Sequence, residues 1–162
     1  VQHRWVQTAD LNASGVLFGG TLVSWIDEEC SMCAHNCVQK GIRLTTVGAD
    51  HIQFKSPAFI KERLKLEYKV IGIGTSSIVI KADITEFYGR LIAEAFNTLC
   101  RIDDEGKVME IHSCLLPSVK DRLDELKKYE GLVKLLKQHR REIFNYEYKF
   151  KRNDRCTING NG

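Results

Sequence analysis

Residues 20–38, GTLVSWIDEECSMCAHNCV, place Leu22, Ile26, Cys30, Cys33 and Cys37 at spacings of four, four, three and four. That is the repeat of one helix face, because residues three and four apart stack on the same side. The rest of the segment is also apolar, apart from Asp27, Glu28, Glu29, His35 and Asn36. A helix apolar nearly all round belongs in an interior rather than on a surface. The remaining chain must therefore wrap it.

The wrapping is legible downstream as β structure. Residues 44–54 are rich in Thr, Val and Ile and end just before Ser56-Pro57. Residues 62–73 put Leu64, Leu66, Tyr68 and Val70 on one face at period two, and residues 76–88 do the same with Ile78, Ile80, Ala82 and Ile84. A further strand is expected over 90–102, and a short one over 1–7. The links at Gly72-Ile73-Gly74-Thr75 and Tyr88-Gly89 are too short for a crossover, so the strands after the helix are expected to run as a four-strand antiparallel meander. The fold class is α+β.

Composition narrows the function. The chain has 162 residues, 43% of them hydrophobic and 28% charged, which is the composition of a folded globular domain rather than a disordered one. No apolar run approaches the roughly 18–20 residues that cross a bilayer. Residues 1–116 carry 12 Lys/Arg against 14 Asp/Glu, whereas residues 117–162 carry 12 against 7, so the net charge of +3 belongs to the C-terminal segment. That is too weak to argue for a nucleic-acid partner. The chain opens at Val1 without a Met and shows no signal peptide in what is present; six cysteines in such a chain suit a reducing compartment, and the expected location is cytoplasmic.

Pro117 divides the chain into a domain over 1–116 and a C-terminal segment over 117–162. In the latter Val119, Leu123, Leu126, Tyr129, Val133 and Leu136 recur at helical spacing, predicting one amphipathic helix from about Ser118 to Phe144. Its outer face is expected to carry Lys127, Lys128, Lys134, Arg140 and Arg141, and the polar tail from Lys149 is expected to fray. The apolar stripe requires the helix to dock on something.

The densest motif precedes the buried helix: Asp10, Asn12, Gly15, Gly19 and Gly20 in the pattern D-x-N-x-x-G-x-x-x-G-G, with Asp27 seven residues further on. Here the chain resembles the acyl-CoA thioesterases of the hotdog-fold superfamily, which include the cytosolic acyl-CoA thioester hydrolases. Phe54-Lys55-Ser56-Pro57, the Gly74-Thr75-Ser76-Ser77 hairpin and Ala93-Glu94-Ala95-Phe96 fit the same pattern, and the resemblance covers about residues 3–103. It implies a hotdog: a long central helix wrapped by a five- or six-stranded antiparallel sheet, here with a C-terminal amphipathic helix added. It further implies a homodimer sharing a continuous sheet, often a trimer of such dimers, and hydrolysis of acyl-CoA to acid and coenzyme A. On that footing Asp27 is the base or nucleophile, Asn12 positions water or substrate, and Gly19 and Gly20 hold the oxyanion. The hairpin residues Gly74, Thr75 and Ser76 are expected to touch coenzyme A or, equally, to form only a plain β-turn, and no metal or other cofactor is implied.

Each residue also has a plainer reading. Gly19 and Gly20 open a helix, where N–H groups lack partners and the dipole is positive, but two glycines also simply permit a tight turn into it. Asp27 is a lone acid on an apolar helix, or one of a polar strip with Glu28 and Glu29. Asn12 suits an Asx-type turn equally well. Asp27 lies roughly 10–12 Å beyond the glycines along one helix, so a shared site is expected to join Gly19 and Gly20 of one chain with Asp27 of another. Lys55 and Arg90 are candidate cations for coenzyme phosphates, or merely solvated strand-end charges. Cys30, Cys33 and Cys37 on the buried face read as core residues more readily than as metal ligands. Two other classes compete: a non-hydrolytic acyl-CoA-binding or dehydratase relative, and an interaction module that uses the hotdog only to dimerise. Neither His35 nor His51 sits in a hydratase-type motif.

Overall fold

The buried segment folds as α1, Gly19–His35, ending before Cys37 rather than running to residue 38. The structure, a computed structural model, describes the backbone of residues 1–153 and the side chains of residues 1–143. Leu22, Trp25, Ile26, Cys30 and Ala34 are buried on α1, and Glu29 with them. Glu29 is tolerated there because Arg4 reaches it at 3.2 Å, the same Arg4 that pairs with Glu28 and stacks over Trp25.

The strands are β1, Gln2–Trp5; β2, Arg43–Phe54; β3, Arg63–Ile73; β4, Ser77–Glu86; and β5, Leu91–Ile102. They form one five-stranded antiparallel sheet in the order β1-β3-β4-β5-β2. Only β3-β4-β5 is a meander. β2 does not lie beside β3; it crosses to the far edge and pairs with β5. The link over residues 55–62 contains Pro57 and no tight two-residue turn, so it carries the chain across rather than folding it back.

Period-two alternation sorts the sheet into two faces. Leu64, Leu66, Ile78, Ile80, Ala82, Ile84, Ala93, Ala95 and Leu99 pack with α1 in one core. Ile71 and Val79 face the other way and form a second cluster with Leu136. Cys30, Cys33, Cys37, Cys100 and Cys114 are free thiols. Cys37 donates to the Cys33 carbonyl, and burial pushes its thiol up to about 11, so it packs as a small apolar residue.

The C-terminal segment is not one helix from Ser118. Short helical turns α2, Pro117–Lys120, and α3, Leu123–Leu126, lead through a 3₁₀ turn at Lys127–Tyr129 into α4, Glu130–Asn153. The break has a packing cause. Val119 and Leu123 pack against the α1 core, whereas Tyr129, Val133 and Leu136 pack on the opposite face of the sheet. A straight rod cannot touch both faces, so the chain bends. Arg140 leaves the expected outer basic face and pairs with Asp50, and it donates to the Thr98 hydroxyl at 2.8 Å. The helix continues past Lys149 to Asn153; the rest of the polar tail lies outside the described residues.

Candidate active site

The loop into α1 is tied by its own backbone. Leu11 and Leu17 bridge, Asn12 N–H donates to the Val16 carbonyl at 2.8 Å, and Gly15 sits at φ +75°, a conformation that favours glycine. The Asn12 side-chain carbonyl accepts from the N–H groups of Ser14 (2.9 Å) and Val16 (3.3 Å). That is the Asx-turn role, and it holds the loop. Its amide nitrogen makes no hydrogen bond among the described residues, so this half of the side chain is available to a ligand.

Phe18 caps α1 without a side-chain hydrogen bond, and the first amide to bond back is Leu22, onto the Phe18 carbonyl. The N–H groups of Gly19 and Gly20 thus stand at the positive end of a seventeen-residue helix with no intrahelical acceptor. A Cβ on Gly20 would come within 2.6 Å of the Phe18 ring, and one on Gly19 within 3.3 Å of Phe54. The glycines therefore both bare the amides and admit two aromatic rings against the helix end.

Asp27 is half-buried on α1 and is gripped from the sheet. Its Oδ1 accepts from Thr46 Oγ1 on β2 at 2.8 Å and from Asn97 Nδ2 on β5 at 3.1 Å. Neither Thr46 nor Asn97 is an obvious candidate in the sequence. Asp27, Thr46 and Asn97 line a cavity of about 410 Å³ together with Gly20, Val23, Ser24 and Ile52. The structure thus brings Gly20 and Asp27 to one cavity within a single chain, although two helical turns separate them. Gly19 instead borders a neighbouring cleft of about 330 Å³ with Val16, Phe54, Lys55 and Pro57. Asn12 lines neither space.

The remaining candidates are placed as follows. Lys55 lines the Gly19 cleft, hydrogen-bonds Gln53 and stands 3.6 Å from Glu94. Arg90 is engaged within the chain: it pairs with Glu62 at 2.6 Å, bonds the Pro57 carbonyl and lies over Phe59, so it clamps the 57–62 link. In the β3–β4 turn, Gly74 N–H bonds the Ser77 carbonyl at 2.7 Å. The carbonyls of Thr75 and Ser76 accept from Ile111 and Arg101. A Cβ on Gly74 would fall 2.9 Å from Lys137 Nζ, so a lysine of α4 stands over this turn. The turn adjoins Ser77, which pairs with Cys100, three residues along β5 from Asn97, and it lines neither cavity.

A profile of the thioesterase superfamily matches residues 14–93. The hexameric thioesterase y2039 from Yersinia pestis is 30% identical; the match covers 70% of this chain and 94% of that one, with a TM-score of 0.63. The chain belongs to the thioesterase superfamily. Its sheet wrapped on one long helix is the hotdog fold of that family. A hexameric acyl-CoA thioesterase, in its apo form, superposes with a TM-score of 0.69 at 26% identity, covering 86% of this chain and 90% of its own. Among curated proteins, the uncharacterized acyl-CoA thioester hydrolase YkhA of Bacillus subtilis is 32% identical over 108 residues, covering 63% of this chain and 61% of YkhA. The chain spans less than two thirds of the length of the curated relatives it matches.

Proposed function

We propose that this thioesterase hydrolyses acyl-CoA to a free carboxylic acid and coenzyme A, with Asp27 as the base. The observation that carries the reading is a carboxylate fastened by one oxygen and fronting the cavity that Gly20 also lines. With Oδ1 held by two donors, Oδ2 is left to take a proton from water. The water oxygen forms a bond to the acyl carbon, and charge develops on the carbonyl oxygen. The bare N–H groups of Gly19 and Gly20 donate hydrogen bonds to that oxygen, and because the glycines stand roughly 10–12 Å from Asp27 along one helix, they are assigned to the opposite subunit of a shared site. The C–S bond then breaks, the electron pair leaves with sulfur, and the proton held by Asp27 passes to the departing thiolate.

Asn12 supplies its free amide to water or substrate. Because it lines neither cavity of its own chain, the reading assigns it to the site of a partner subunit in a homodimer, and the hexameric relatives support an assembly of such dimers into a trimer. Lys55, at the Gly19 cleft, and the Gly74-Thr75-Ser76 turn are assigned to coenzyme A. Arg90 shapes the link behind Lys55. The reaction needs no metal and no cofactor other than the coenzyme A of the substrate, and the setting is cytoplasmic. Among the described residues no helix is long and apolar enough to cross a membrane.

Asp27→Asn keeps the shape and both of its neighbours while removing the base. It is expected to lower kcat by at least ~10² on short- and long-chain acyl-CoA, with the assembly unchanged on size-exclusion chromatography. Near-normal turnover overturns the reading.

A further inference from the structure

Asn97 is 1% exposed and points inward from β5, in the same register as Ala93, Ala95 and Leu99. A polar side chain at such a position has to be satisfied, because a buried group without a partner forfeits the hydrogen bonds it would make with water. Asn97 is satisfied on one side only. Its Nδ2 donates to Asp27 Oδ1, but its own Oδ1 is buried and has no partner among the described residues. The orientation is forced: a carboxylate can only accept, so the amide must present nitrogen to Asp27 and turn its carbonyl away. Asn97 borders the same cavity of about 410 Å³ as Asp27 and Gly20.

We infer that Asn97 is a positioning residue of the thioesterase site, fixing the Asp27 carboxylate through its amide and seating the attacking water through its orphaned carbonyl. The inference rests on the assignment of Asp27 as base. Thr46 and Asn97 approach the same carboxylate oxygen from two strands, so Oδ1 is held while Oδ2 has no hydrogen-bond partner among the described residues. A water there donates one proton to Asn97 Oδ1 and the other to Asp27 Oδ2, which aims its lone pair away from both. That arrangement gives the unpartnered carbonyl an occupant and holds the nucleophile in a single orientation before substrate arrives.

A purely structural Asn97 predicts a different outcome, and the experiment separates the two. Asn97→Leu has nearly the same shape and removes donor and acceptor together. It relieves the unpaired carbonyl but also removes a hydrogen bond to a charged group, two effects of opposite sign on stability. The positioning role predicts kcat lowered at least ~10-fold in a variant that circular dichroism shows folded, while KM stays within about twofold, since ground-state binding is untouched. A crystal structure of the wild type should show a water bonded to both Asn97 Oδ1 and Asp27 Oδ2, absent from Asn97→Leu. If Asn97→Leu does not fold, Asn97→Ser is read by the same split at a temperature where circular dichroism shows it folded. Unchanged kcat in the folded variant, or a carbonyl that faces a dry apolar wall, overturns the proposal. The Asp27→Asn control keeps the two readings apart. If that variant is inactive and Asn97→Leu is normal, only the role of Asn97 falls; if Asp27→Asn is active, the base assignment falls with it.

Discussion

Asp27 shows how one carboxylate is made specific by residues distant in sequence. Its geometry comes from Thr46 on β2 and Asn97 on β5, strands that pair with each other at one side of the sheet. Hydrogen bonds to a charged group contribute roughly 1.5–3 kcal/mol, so losing the Thr46 hydroxyl should be felt in the rate. Thr46→Val, which keeps the branched shape, is expected to lower kcat by roughly 10- to 100-fold, and Thr46→Ser should return most of it. Steady-state kinetics on one acyl-CoA decides this; a rise in KM with kcat preserved would mean that Thr46 contacts substrate instead. Asp27 is legible in the sequence through its place seven residues after Gly20 in the family motif, since beside Glu28 and Glu29 the helical pattern alone fits a polar strip equally well. Thr46 is not, since Thr is an ordinary strand residue. Asn97 left a fainter signal: it occupies an inward place in a strand whose alternation calls for an apolar side chain.

The elements show where periodicity succeeds and where it stops. The inward faces of β3 and β4 follow from alternation alone, because Leu64, Leu66, Ile78, Ile80, Ala82 and Ile84 are all buried in the α1 core. Strand order does not follow, since nothing in β2 states that it pairs with β5 rather than β3. The stripe from Val119 to Leu136 is also legible, but not its division between two faces of the sheet. Gly72 is informative here: a Cβ on it would come within 2.7 Å of Val133, so this glycine is the seat of α4. Leu136, 4% exposed against Ile71 and Val79, anchors the same contact. Leu136→Asp places a charge there without a partner, at a cost of several kcal/mol. It is expected to lower the melting temperature by several degrees and to expose α4 to limited proteolysis. Hydrolysis measured well below melting should stay within about threefold, because Asp27 lies on the opposite face of the sheet. An unchanged melting temperature would mean that α4 is not docked.

At the scale of the whole molecule, the fold leaves one side unfinished. β2 is an edge strand, paired only with β5 among the described residues, and it is irregular at Thr46/Gly48 and again at Asp50/Gln53. Open edges are templates for another strand. Val47 and Phe54 on this strand are exposed, and so is Phe18 at the start of α1. Phe54 lines the cleft of Gly19 and the Phe18 ring lies against Gly20, and Asn12 stands outside both cavities. A second copy set against this side would cover the apolar surface and bring its own Asn12 toward Asp27. The two residues would then belong to opposite subunits, which mixing experiments can detect. Asn12→Ala and Asp27→Ala are each expected to be inactive alone. Allowed to exchange subunits, they should form about half heterodimers, each with one intact site of two, and recover about a quarter of wild-type activity in a two-fold symmetric assembly. Exchange is checked by native mass spectrometry with one variant isotopically labelled. Exchange without recovery would place Asn12 and Asp27 in the same subunit's site, and the loop from Asp10 to Phe18 would then have to move to bring them together.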